Sequence, residues 1–338
     1  MPAESPTATG YASAPGLRAV EFLPWALALA VYFAAPTYVP LGAYILIICL
    51  FALSLDLVVG YGGIVTLGHS AYFGLGAYVA GVLAVRLEGD PLIGLAVAAL
   101  AAGLFGLATG AVVLRTSGLA LLMLTLAIVS IVFEVANKWT EVTGGADGLN
   151  NVPVKPILGV FEFDFHGRTA YLYCLAVLAA GWWLVRTIVC SPFGVALTGA
   201  RENDERMLAV GAPVYRRRLR AYTISAALAG VAGALLTQTT QFVGLSAVSF
   251  ELSGEILVML VLGGTGRLYG AFVGPLAYIV ARDYLAKQTP EYWYMGIGVL
   301  LVLIVLFARG GILGMVDKLR DKWLSLYKQK SSARASAR

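Results

Sequence analysis

Val58 to Gly81 reads VVGYGGIVTLGHSAYFGLGAYVAG, with glycines at 60, 62, 63, 68, 74, 76 and 81 inside an otherwise apolar run. Glycine in a helix interior costs about 1 kcal/mol relative to alanine, so a helix this rich in glycine needs a reason. Two are open. The glycines let neighbouring helices approach closely, with Gly74 and Gly81 as contact points, or they mark an unwound stretch whose freed N–H and C=O groups line a cavity. A second such stretch stands 200 residues further on: Gly63, Ala71, Gly74, Ala77 and Tyr78 meet Gly263, Ala271, Gly274, Ala277 and Tyr278, with Tyr72 opposite Phe272. Two related halves with interrupted helices would follow, although glycine and alanine are common enough here to produce matches at some offset.

The surrounding sequence is that of a membrane protein. Of 338 residues 59% are apolar and 13% charged, and the mean hydropathy is +0.81. Soluble domains carry roughly a quarter charged residues, which excludes an ordinary soluble enzyme and a disordered chain alike. Cys49, Cys174 and Cys190 lie in or beside apolar stretches without metal spacing and read as small core hydrophobes. The net charge of +5 reports topology rather than a nucleic-acid partner, because the basic residues cluster by position.

A bilayer core asks for about 20 apolar residues per helix. On that rule spans fall near 22–38, 41–60, 63–85, 92–114, 118–137, 169–189 and 221–243. Residues 1–20 read as a disordered tail, 21–310 as the transmembrane domain and 311–338 as a basic tail. Arg186, Arg201, Arg206, Arg216, Arg217, Arg218 and Arg220 crowd the connector 190–220, which the positive-inside rule makes cytoplasmic, as it does the tail with Lys318, Arg320 and Lys322. An even number of crossings must therefore separate them. Leu252 to Leu285 either crosses twice, with Gly263, Gly264 and Gly266 at a cytoplasmic turn, or forms a re-entrant hairpin, and a last span lies near 291–308. The expectation is an all-α polytopic fold of about 8–10 transmembrane helices, with an external loop at 138–168.

No Ser/His/Asp set, HExxH or GxxxxGK[ST] loop occurs, so the chain lacks the means to hydrolyse ATP itself. His69 is expected to cap or hydrogen-bond rather than bind metal. Glu134 has Lys138 at i+4, an end-of-helix ion pair. Asp56, deep in an apolar run and without an evident partner, opens the alternative of an ion-coupled secondary transporter. Candidate solute-path residues are Gly62, Gly63, Gly68, His69, Thr125, Gly263, Gly264 and Gly266. In the connector, Ser191-Pro192-Phe193-Gly194 ends a span, Ala196 to Val210 reads as a short amphipathic helix outside the bilayer, and Gly211 closes it.

Five blocks in order resemble the LivH/LivM-type permease subunits of bacterial branched-chain amino-acid ABC importers: GYGGIVTLGHSAYFGLGAY (60–78), SGLALLMLTLA (117–127), TGGADGL (143–149), the run from SPFG at 191 to GALL at 236, and GGTGRLYGAFVGP (263–275). The length suits a LivM-like member. The resemblance implies a subunit of the bacterial inner membrane, with no cofactor of its own. ATP and Mg would be bound by two LivG/LivF-like ATPase subunits; a LivH-like second permease, a periplasmic substrate-binding protein and membrane lipid would be the other partners. It gives Arg201, Glu202, Asn203, Glu205, Arg206 and Gly211 the role of an ATPase-coupling loop. Met207 stands where the family usually has alanine, and Asp56 where asparagine is more familiar. Permeases for urea, short amides and other small carboxylates share these motifs, so the cargo is less defined than the class.

Overall fold

The structure is a computed structural model that describes residues 23–34, 36–87, 89–156, 167–288, 295, 298 and 310–315. The expected tail 1–20, the span near 291–308 and all but the start of the basic tail 311–338 lie outside the described residues.

Helix α1 (Leu23–Ala34) leads through a 3-10 turn at Pro36–Tyr38 into α2 (Val39–Asp56), which continues as a π-helical turn over Leu57–Tyr61. Helix α2 is apolar on all sides, and residues Leu46 to Val58 are all buried. A helix without a polar face belongs at the centre of a bundle. There follow in the chain α3 (Ser70–Arg86), α4 (Pro91–Val113), α5 (Leu119–Lys138), the single turn α6 (Thr140–Thr143) and α7 (Arg168–Val189), the last packed against α2. The connector forms α8 (Pro192–Glu202) and α9 (Asp204–Ala209), followed by α10 (Val214–Thr240), α11 (Phe250–Gly263) and α12 (Gly270–Gln288). Among the described residues the sole pairing of extended backbone is a bridge between Leu149 and Val243.

Among the described residues five helices are long and apolar enough to cross a membrane: α2 with its π turn, α4, α5, α7 and α10. The all-α polytopic expectation holds, with differences in detail. The span expected at 63–85 begins as a helix only at Ser70, because the chain from Gly62 to His69 is irregular. Its amides bond elsewhere: Ile64 N to Val58 O (3.0 Å), Leu67 N to Thr125 Oγ1 (3.3 Å) and Gly68 N to Thr66 Oγ1 (3.2 Å). Helix α10 starts at Val214 rather than 221, since arginine is a good helix former and Arg216 to Arg220 simply make its first turns. The stretch from Leu252 is a pair of helices, α11 and α12, joined by a turn at 264–269. With 14 residues α11 is too short to cross alone; the 3-10 turn Leu245–Val248 before it already lies inside the bundle, where Val248 is fully buried. The one helix expected over Ala196–Val210 is two, broken at Asn203.

Close packing uses the glycines. A β-carbon at Gly76 would strike the backbone of Gly230, one at Gly233 the carbonyl of Phe73, and one at Gly106 the side chain of Ala226, so α3, α4 and α10 meet backbone to backbone. Gly74 is such a contact too, against Val248, whereas a β-carbon at Gly81 would meet Leu149 at 3.2 Å. Helix α5 stands at the edge. It buries a single stripe, Leu121, Thr125, Val129 and Ala136, and exposes Leu119, Met123, Ile131 and Val135.

Candidate functional site at the connector junction

The end of α2, the end of α8 and the α11–α12 turn converge on one point. Asp56, fully buried, accepts a hydrogen bond on Oδ1 from Gly266 N at 2.7 Å, while its Oδ2 has no hydrogen-bond partner among the described residues. Four residues on, the π turn leaves the carbonyl of Gly60 uncommitted to helix, and Arg201 Nη1 donates to it. The same guanidinium lies against Gly266, whose φ is +74; a β-carbon there would come within 2.9 Å of Nη1. Gly63, at φ +68, carries the Cα–Cβ–Cγ stem of Arg201, and a side chain at 63 would meet Arg201 Cγ at 2.8 Å. One arginine from the connector thus fastens both glycine-rich turns at once.

The connector is fitted to the bundle by one face. Ser191 caps α8, accepting from Gly194 N at 3.4 Å, with Pro192 in the first turn. Leu197 and Ala200 are buried beneath it. Asn203 ends α8 in extended conformation and caps α9 by accepting from Arg206 N at 2.8 Å. Arg218 of α10 ties the break down, donating to Asp204 Oδ2 at 2.7 Å and to Ala200 O at 3.2 Å. Glu202, Asn203, Glu205, Arg206 and Gly211 are exposed, as are Leu208 (60%) and Val210 (79%). All six residues expected in a coupling loop are exposed, and Arg201 alone among them also sends its guanidinium inward, onto the Gly60 carbonyl.

The candidate path residues divide into groups. Gly62, Gly63, Gly263, Gly264 and Gly266 gather at the junction. Gly68 and Thr125 touch each other: Thr125 Oγ1 accepts from Leu67 N, and a β-carbon at Gly68 would strike the Thr125 carbonyl. His69 is 1% exposed, its Nε2 3.0 Å from Ser54 Oγ and 3.4 Å from Ser225 Oγ, with its ring stacked 5.5 Å from Phe51. This is the hydrogen-bonding role expected of it.

Sequence reasoning missed the network that His69 joins. Ser225 Oγ donates to Ser54 O, Tyr72 OH lies 2.9 Å from Tyr222 OH and 2.8 Å from Thr109 Oγ1, and Ser70 N donates to Ser253 Oγ at 3.0 Å. Serines and tyrosines among apolar residues gave no pattern to find. At the other end of the bundle a cavity of about 370 Å³ is lined by Tyr44, Phe73, Ser246, Glu251, Glu255 and Arg282 among others, with Glu255 and Arg282 3.8 Å apart. The expected Glu134–Lys138 pair is present at 4.0 Å. Cys49 and Cys174 are buried as expected, but Cys190, at the end of α7, is exposed.

A helical bundle built around one buried apolar span, with interrupted helices meeting an amphipathic connector, defines a polytopic membrane protein. The sequence profile of the branched-chain amino acid transport system / permease component family matches residues 39–305, and the chain belongs to that family. Among curated relatives, the high-affinity branched-chain amino acid transport system permease protein LivM of Escherichia coli is 28% identical over 82% of this chain and 70% of its own length. A probable LivM of Methanocaldococcus jannaschii is 24% identical, covering 78% of this chain and 84% of its own. The autoinducer 2 import system permease protein LsrC of Klebsiella pneumoniae is 28% identical over 68% of this chain and 60% of its own length. No solved structure matches.

Proposed function

We propose that this chain is a LivM-like permease subunit of an ATP-driven importer for branched-chain amino acids in the bacterial inner membrane, with the connector and C-terminus in the cytoplasm. Two LivG/LivF-like ATPase subunits would bind ATP and Mg and grip the connector; a LivH-like permease would complete the path, and a periplasmic binding protein would deliver cargo. The observation that carries this reading is the Arg201 junction. A push on α8 and α9 reaches the ends of α2 and of α11–α12 through one guanidinium, without passing through flexible chain. Alternating access needs such a two-state element.

On this reading the turns at Gly60–Gly63 and Gly263–Gly266 form the cytoplasmic gate, and Gly68, His69 and Thr125 hold the wall behind it. The second reading of an ion-coupled transporter centred on Asp56 loses its main support, because that carboxylate is engaged with the Gly266 amide as a fastening. Branched-chain amino acids are favoured as cargo by the LivM relatives; urea, short amides and small carboxylates are the competing cargoes. Reconstitution with candidate partners tests the proposal. Uptake is expected to need ATP and a binding protein and to survive collapse of proton and sodium gradients; uptake driven by either gradient alone would overturn it.

A further inference from the structure

The first turns of α10 hold Arg216, Arg217 and Arg220 at the positive end of a helix, with no acidic residue in the first turn. Cations there oppose the helix dipole. Their neighbour Arg218 is paired with Asp204, but the side chains of these three make no ion pair or hydrogen bond among the described residues. The placement is unfavourable unless an anion is supplied from outside the chain.

The surface around them is shaped for one. A pocket of about 350 Å³ is bounded by Arg216, Arg217, Arg220, Phe193, Pro192 and Pro213. It adjoins a larger cavity of about 670 Å³ that shares Arg216, Arg220 and Phe193 and continues between Leu107, Ile188, Leu219 and Ile224. No carboxylate lines either one. Arg216, Arg220 and Ile224 succeed one another at four-residue spacing, so one face of α10 runs from guanidinium to hydrocarbon, and the apolar walls come from the spans α4, α7 and α10.

We propose that this paired site binds an anionic phospholipid, with its phosphate among Arg216, Arg217 and Arg220 and an acyl chain in the groove between Leu107, Ile188 and Ile224. An acidic protein surface would satisfy the arginines but leave unfilled an apolar groove walled by three span helices; a phosphodiester with an attached chain satisfies both. Basic pockets between spans at the cytoplasmic side are where anionic headgroups are held. The site uses the membrane orientation of the proposed function but neither its cargo nor its partners. By gripping the root of α10 next to the Arg218–Asp204 pair, the lipid would brace the connector at a second place besides Arg201.

The test uses the full-length chain in detergent, titrated with phosphatidylglycerol, phosphatidylcholine of the same acyl chains, or glycerol phosphate. Native mass spectrometry and the thermal midpoint are the readouts. Phosphatidylglycerol is expected to stay bound and raise the midpoint, phosphatidylcholine and glycerol phosphate not. Arg216→Gln with Arg220→Gln should weaken phosphatidylglycerol retention by roughly tenfold or more while leaving the midpoint in phosphatidylcholine unchanged. Leu107→Trp, which fills the groove and leaves the charge alone, should weaken it as well. Equal retention of the two lipids, an equal response to glycerol phosphate, or unchanged retention in both variants would overturn the proposal. So would a double variant whose one defect is failure to co-purify with an acidic protein partner.

Discussion

The two glycine turns have helices that start 200 residues apart, α3 at Ser70 and α12 at Gly270, yet they are held in different ways. The first is built into the core. Between Gly62 and Ser70 the chain is fastened by side chains from four other segments: Thr125 to Leu67, Ser54 and Ser225 to His69, and Ser253 to Ser70. The second turn has Asp56 on the Gly266 amide, Arg201 against Gly266, and close backbone approach of Gly264 to Gly310. Buried hydrogen-bond networks stiffen what they join. The first turn is thus the more firmly seated jaw, although the connector reaches it too through Arg201 at Gly60 and Gly63, and the second, with fewer side-chain fastenings, is the one expected to yield more when the connector moves.

Substitutions that separate the jaws follow from this contrast. Gly63→Val should have the largest effect, since a β-branched residue at φ +68 costs about 1–2 kcal/mol in backbone alone and its side chain displaces Arg201. Uptake in proteoliposomes is expected to be abolished, and Gly264→Val, at φ +111, should do the same; normal uptake in both would reduce the turns to plain packing. Next comes Glu205→Arg together with Arg206→Glu on the exposed face of the connector. The chain should still insert, with ATP hydrolysis uncoupled from uptake, and unchanged ATPase association and transport would remove the coupling role.

Asp56 sharpens the comparison further. Asp56→Asn keeps an oxygen for Gly266 N and should leave transport largely intact, whereas Asp56→Leu strands a buried amide at about 1–3 kcal/mol and should release the second turn. The check is the thermal midpoint together with uptake; loss of uptake in the Asn variant with the assembly preserved would restore a role for the carboxylate's charge. The smallest effect is expected from Thr125→Val, which removes one acceptor from Leu67 N in the well-anchored first turn and should cost about 1 kcal/mol with little change in transport rate. A larger loss of uptake than of stability would mean that the first turn moves too.

Much of this architecture could be read in the sequence because spans and topology depend on local hydropathy and charge. The apolar runs placed α2, α4, α5 and α7 within a few residues, and the arginines of 186–220 marked the connector. Glycine density identified both turns. What the glycines were for was not legible: the role of Gly63 depends on Arg201, 138 positions away, and nothing in spacing links them. Asp56 looked unpartnered for the same reason, as its partner is a backbone amide at residue 266. His69 was read correctly in kind, but its serine partners lie on two other helices and carry no periodic signature. The break at Asn203 was missed although an Asn followed by Asp-Glu-Arg is a cap sequence; its position inside an amphipathic run concealed it.

Where α3, α4 and α10 touch, main chain rests on main chain at Gly76, Gly230 and Gly233, with no intervening side chain to rotate. Such a seam has no play, because rotamer hops cannot relieve a shear and sliding would lift whole peptide planes past each other. These three spans must travel as a single slab. The pivots of any rocking motion then lie at its borders, where α5 hangs by its one inward stripe and where α11 and α12 meet the rest, and a cross-link within the slab should be silent while one across either border should arrest turnover.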